Sequence, residues 1–245
     1  MRLMLLLSAS IFLCYYQAKS SSNDPFPKIK QGIEKRMTLF SEATGMLWEY
    51  KLSKEPDGKL IGMFCSQISA VYLKNRKRFD TLVNVVIEPF FMDYIIENQF
   101  TQYKALCFCF TVNTDSCFQD IPQSALYTFH ITPDTGSLPD LPYKAGMLAS
   151  LIGEGTKSTL ILTNNKDYPG EIEFKVPKKS SPKTVRDREE DAKRWARLAY
   201  SYLLKTKEAE ENHYRRISIC YYNTNNPAEK EYFMFDKNNP LFSDL

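Results

Sequence analysis

Six cysteines and two histidines are the residues of this chain best suited to chemistry. Cys14 sits in an apolar leader, which leaves Cys65, Cys107, Cys109, Cys117 and Cys220, an odd number, for the mature chain. Cys107 and Cys109 lie two apart in a segment of strand character, so both point to one face. An extended backbone holds their Cα atoms about 7 Å apart, at the edge of bridging range, and each is expected to reach elsewhere. The preferred pairing is a long link from Cys65 to Cys220 and a short one from Cys107 or Cys109 to Cys117, with one thiol left over. Zinc is the rival reading of Cys-x-Cys plus Cys. Only His130 and His213 could complete such a site, and an exported chain favours disulfides.

Catalysis needs a nucleophile, a base and an oxyanion or metal partner within reach of one another. The chain has no His-Glu-x-x-His and no Gly-x-Ser-x-Gly. Gly155-Thr156-Lys157-Ser158 departs from the phosphate loop, which requires Gly-Lys-Ser/Thr in direct succession. No spacing singles out a carboxylate pair among the 29 acids. His130, beside Phe129 in a β segment, reads as structural. The expectation is a protein that is not an enzyme and takes no cofactor. Aromatics are what the chain holds in quantity: 16 Phe, 15 Tyr and 2 Trp. Trp48, Tyr50, Phe108, Phe110, Tyr127 and Phe129 fall in strand-like segments. On the inner wall of a barrel they would line a pocket for an apolar or amine ligand, and otherwise they fill a core.

The elements that must position these residues follow a leader. Arg2, the run Leu3-Met4-Leu5-Leu6-Leu7, Ile11-Phe12-Leu13 and the small residues of Ala18-Lys19-Ser20 read as a signal peptide over residues 1–20. Residues 21–245 then form a single secreted β-rich domain of 225 residues. The mature balance of 30 basic and 29 acidic residues gives no field to attract nucleic acid, and no later run is long enough for a membrane span. The basic run 74–78 reads as a solvated turn, and no glycosylation sequon occurs.

Pro27 to about Ser41 reads as an amphipathic helix, with Gly45 as a breaker. Strands are expected at Met46–Leu52, Leu60–Leu73, Thr81–Phe91, Tyr103–Val112, Ala125–Ile131, Ser158–Thr163, Glu171–Val176, Arg216–Asn223 and Glu231–Phe235, with Gly146–Ile152 open as to type. Leu106 to Val112, apolar on both faces, is expected at the centre of a sheet. Thr184 and Asp187 start the clearest element, a helix to Asn212 roughly 35–40 Å long. Its stripe is Ala192, Trp195, Ala196, Ala199, Tyr202 and Leu203, with Glu189–Lys193 and Glu190–Arg194 as ion pairs on the wet side. No internal repeat is evident. Hairpin signals without β–helix alternation predict mainly antiparallel β, a barrel or strongly curled sheet, with an N-terminal helix and one long C-terminal helix packed on it.

The order of these elements resembles a lipocalin, in which Gly45-Met46-Leu47-Trp48 stands near the Gly-x-Trp of the first strand, with one residue more. Ala18-Lys19-Ser20, Leu106-Cys107-Phe108-Cys109-Phe110, Ala192-Lys193-Arg194-Trp195-Ala196 and Ile219-Cys220-Tyr221-Tyr222 resemble the secreted salivary proteins of ticks, in particular the 36-kDa immunosuppressive group. That resemblance implies a secreted protein that dampens host lymphocyte responses by binding a host extracellular or lymphocyte-surface protein. The lipocalin likeness implies instead a scavenger of a small amine or lipid.

Overall fold

In a computed structural model of the chain, the residues described are 27–68, 75–111, 126–131, 140–156, 161–164, 170–211 and 213–245. Residues 1–20, where a signal peptide is expected, Cys117, and Lys157 and Ser158 lie outside them. The first half runs α1 (Pro27–Thr44), β1 (Leu47–Lys54), β2 (Leu60–Gln67), α2 (Arg76–Leu82), a π-helical turn (Val83–Ile87), α3 (Glu88–Glu97), β3 (Tyr103–Thr111) and β4 (Leu126–His130). The second half runs α4 (Leu141–Thr156), β5 (Ile161–Asn164), β6 (Glu171–Pro177), α5 (Val185–Ala199), a second π-helical turn (Tyr200–Leu204), α6 (Lys207–Glu211), β7 (Arg216–Tyr222) and β8 (Lys230–Asp236).

The strands form two open four-stranded sheets, ordered β1-β2-β3-β4 and β5-β6-β7-β8. In each, the outer pairs are antiparallel and the central pair, β2 with β3 or β6 with β7, is parallel. The expected barrel of antiparallel strands is therefore corrected to a mixed α/β fold without a barrel. Neighbouring parallel strands need a crossover, and a helical segment supplies it each time. The two halves thus repeat one plan, helix–strand–strand–helix–strand–strand, which residue identities do not reveal.

The missed crossover is α2–α3. Val83, Val85 and Ile87 alternate like a strand, yet the buried residues Phe79, Leu82, Val83, Val86, Ile87, Phe90 and Phe91 follow helical spacing. Asn75 caps the start, its Oδ1 accepting from the N–H of Arg78 (3.3 Å), and Arg76 pairs with Asp80 one turn on (2.8 Å). Arg76, Lys77 and Arg78 of the basic run thus open a helix rather than a turn. Gly146–Ile152 likewise belongs to a helix, α4, and β2 ends at Gln67.

The late helix begins as expected: Thr184 Oγ1 accepts from the N–H of Asp187 (3.1 Å). Trp195 and Tyr202 are 1% and 4% exposed. Lys193 takes both Glu189 (2.9 Å) and Glu190 (3.0 Å), and Arg194 pairs with Asp191 (3.4 Å) instead of Glu190. The element is not one rod to Asn212. After the π-helical turn, Thr206 Oγ1 accepts from the N–H of Ala209 (3.2 Å) and starts α6 afresh.

The chain divides into two compact units. The first gathers the described residues of Met1–Lys35, Leu47–Ile68 and Phe91–Asp134; the second gathers those of Arg36–Met46, Ser69–Phe90 and Thr135–Leu245. In the second, the end of α1 meets the end of α4: a Cβ on Gly155 would lie 1.7 Å from the Thr44 carbonyl oxygen, so only glycine fits. Among the described residues, no helix is long and apolar enough to cross a membrane.

Candidate functional site

Pleating decides which side chains of the first sheet share a face. Tyr50, Phe64, Phe108 and Tyr127 are register neighbours across all four strands, with Trp48 and Phe110 one pleat to one side and Leu106 and Phe129 one pleat to the other. All six aromatics predicted to line a pocket therefore lie on one face. They pack on one another and on Phe91 from α3. Trp48 stands edge-on to Phe91 (5.5 Å between centroids), Phe108 (6.4 Å) and Phe110 (5.9 Å). Phe64 stacks on Phe108 at 5.1 Å, Phe129 meets Phe108 at 5.9 Å, and Tyr127 meets Phe110 at 5.7 Å. The Tyr50 and Tyr103 hydroxyls share a hydrogen bond of 2.7 Å. Such edge-to-face and offset geometry is how rings fill a core.

The opposite face of this sheet carries sulfur. Met63, Cys65, Cys107 and Cys109 form one buried cluster flanked by Ile61 and Leu126. Cys107 and Cys109 do share a face, as expected, and Cys109 is the register neighbour of Cys65 on the adjacent parallel strand. The disulfide pairing is corrected: Cys107, Cys109 and Cys220 are free thiols, so neither Cys65–Cys220 nor a bond from Cys107 or Cys109 to Cys117 is formed. Cys220 lies on β7, where its thiol shares a hydrogen bond with Tyr232, and Cys107 turns toward Thr128, its Sγ 3.5 Å from the hydroxyl oxygen. Burial pushes the Cys107 thiol up and that of Cys109 up to about 12, so both stay protonated and weakly nucleophilic at neutral pH.

The second sheet has two chemically different faces. Ile172, Phe174, Val176, Ile217, Ile219 and Tyr221 form the apolar side, and Trp195 of α5 packs on Tyr221 with centroids 6.2 Å apart. The other side carries Glu171, Glu173, Ser218, Cys220, Tyr232 and Met234. Glu171, Glu173, Ser218 and Cys220 are buried there. Glu171 Oε2 and Ser218 Oγ have no hydrogen-bond partner among the described residues, an unusual state for buried oxygens. Burial raises the Cys220 thiol, against a hydrogen bond with Tyr232 that lowers it. Burial, together with that same bond, raises the Tyr232 phenol. Sequence reading missed this group. The alternation of Glu171, Glu173 and Lys175 with Ile172, Phe174 and Val176 is visible, but polar residues on alternate positions of a strand ordinarily face water.

At one end of this sheet His213, Arg215, Asp236 and Lys237 border an open polar notch of about 460 Å³. His213 holds a left-handed backbone (φ 58°), and its carbonyl oxygen would lie 2.6 Å from a Cβ on Gly170. His130 is exposed on the edge strand β4. Among the described residues, no three of His, Cys, Asp and Glu gather as a metal site. No family model, curated protein or solved structure matches the chain.

Proposed function

We propose that this chain is a secreted, non-enzymatic immunomodulator that suppresses host lymphocyte responses by binding a host protein. The observation that carries the reading is how the reactive and sticky side chains are used. The rings a ligand-binding lumen would need are packed on one another, and burial keeps the thiols protonated, which supports action by surface contact. The likeness of the Leu106–Phe110, Ala192–Ala196 and Ile219–Tyr222 segments to tick salivary immunosuppressants supplies the partner class, a host extracellular or lymphocyte-surface protein. Immobilised protein exposed to host plasma and solubilised lymphocyte membranes is expected to retain a protein partner. Soluble protein is expected to lower mitogen-driven proliferation. Recovery of no protein partner, with a small molecule co-purifying, would overturn this reading.

The second reading, a binder of a small amine or lipid, draws on a different place from the aromatic cluster. The unpartnered oxygens of Glu171 and Ser218, beside Glu173 and Tyr232, are acceptors suited to a protonated amine. Calorimetric titration with simple primary amines, repeated on Glu171→Gln, tests it. Equal heats from both proteins would remove the second sheet from the reading.

A further inference from the structure

We propose that the outer edge of β8 pairs with β8 of a second copy of this chain, in antiparallel register about Phe233, to give a symmetric dimer with one continuous eight-stranded sheet. This goes beyond the proposed immunomodulatory role and does not depend on it.

The last strand of the sheet is β8, and no described strand lies on its far side. Its backbone phase is fixed by the bonds that extend the β7–β8 ladder. The Asn223 N–H donates to the Glu229 carbonyl (3.1 Å) and the Lys237 N–H to the Arg215 carbonyl (2.7 Å). In an antiparallel ladder every second residue bonds to the neighbour. Glu231, Phe233 and Phe235 therefore bond toward β7, and the N–H and C=O groups of Lys230, Tyr232, Met234 and Asp236 point outward. An edge of unpaired backbone groups is a template for another strand unless the sequence guards it.

Here the guards are absent where they would matter. Tyr232 is 41% and Met234 55% exposed at the centre of the edge, and the strand has no proline. The edge strand β1, by contrast, turns the charged side chains of Glu49 and Lys51 to solvent along its middle. In β8 the charges sit at the ends and have opposite sign. A two-fold axis at Phe233 places Lys230 opposite Asp236 of the second copy at both ends and Tyr232 opposite Met234 twice between them. Every one of these pairs joins two outward-pointing residues, so the register satisfies backbone bonding, charge and apolar contact together. Asp236 already accepts from Arg216 Nε at 2.7 Å through one oxygen, and its other oxygen is available to the incoming lysine. A two-fold interface of this kind is self-complementary and closes at two chains.

The test is sedimentation equilibrium of the purified full chain across a concentration series. A monomer–dimer equilibrium is expected. Lys230→Glu puts like charges opposite each other twice and should raise the dimer dissociation constant about tenfold. Met234→Pro removes an outward N–H while sparing the β7 ladder, and should leave a monomer with an unchanged circular dichroism spectrum. Register is read by mixing Tyr232→Cys with Met234→Cys under oxidation, both in a Cys220→Ser background because Cys220 is the β7 neighbour of position 232. The mixture should crosslink efficiently, and neither variant should do so alone. A chain that stays monomeric at every concentration overturns the proposal and leaves the edge to an extended segment of another protein. A dimer indifferent to Lys230→Glu and Met234→Pro, both folded, overturns it as well.

Discussion

Arg188 ties three segments together although it sits in a helix of alternating charge. Its Nε reaches Glu231 of β8 at 2.7 Å, and Nη1 donates to the carbonyls of Pro182 (2.9 Å) and Lys183 (2.8 Å). Its Cζ lies 5.8 Å from the Tyr221 ring centroid, while the Tyr221 hydroxyl donates to the Arg188 carbonyl at 3.1 Å. The side chain is 9% exposed and that of Glu231 19%, so removing the arginine strands a half-buried carboxylate and two carbonyls. Arg188→Ala should cost about 3 kcal/mol, measured by urea denaturation, whereas exposed Lys193→Ala should cost under about 1 kcal/mol. This role is not legible in the sequence, where Arg188 is one more charge in Arg186-Asp187-Arg188-Glu189. The shared face of Cys107 and Cys109 was legible, because a period of two follows from the strand itself. Their partners were not, since partners depend on which strands become neighbours.

At the scale of elements, the helix from Arg76 to Glu97 shows how local preference and packing compete. Pro89 has no N–H to offer the Val85 carbonyl four residues back. The π-helical turn Val83–Ile87 ends just before it, and the Val85 carbonyl instead accepts from the Tyr202 hydroxyl. Tyr202 itself lies in the other π-helical turn, and its ring meets Phe90 edge-on at 6.4 Å. Such turns widen a helix locally and re-aim its side chains. Tyr202→Phe keeps the ring and orphans the carbonyl, and should cost roughly 1–3 kcal/mol by thermal denaturation, more than an exposed tyrosine such as Tyr143. The element was misread because Val83, Val85 and Ile87 favour strands and alternate, while the evidence for a helix lies in the wider set from Phe79 to Phe91. The late helix and β3 were legible for the converse reason: period, capping residue and composition agree in Thr184–Leu203, and Leu106–Phe110 is apolar on both faces. The misreading also changes topology: a strand at Thr81–Phe91 would stand between β2 and β3 in a meander, whereas the helical crossover makes them parallel neighbours.

At the scale of the molecule, sequence order and compactness do not coincide. The second unit contains Thr135–Leu245 but also Arg36–Met46 and Ser69–Phe90. The buried side chains Phe40, Leu82, Val83, Val86, Ile87 and Phe90 belong to those borrowed stretches. A fragment starting at Asp140, although it holds the whole second sheet, lacks them. It should show no cooperative melting transition and should bind a hydrophobic dye, in contrast to the full chain. Each sheet also closes in an order set by the chain. Once β2 has formed, roughly 35 residues must be made before β3 exists, and a similar stretch separates β6 from β7. At ordinary translation speeds that is a wait of roughly 2 to 7 s for each strand. In that interval the apolar hairpins β1–β2 and β5–β6 stand half-finished as they leave the ribosome, twice in one synthesis, and chaperones that grip extended apolar segments have their opening then.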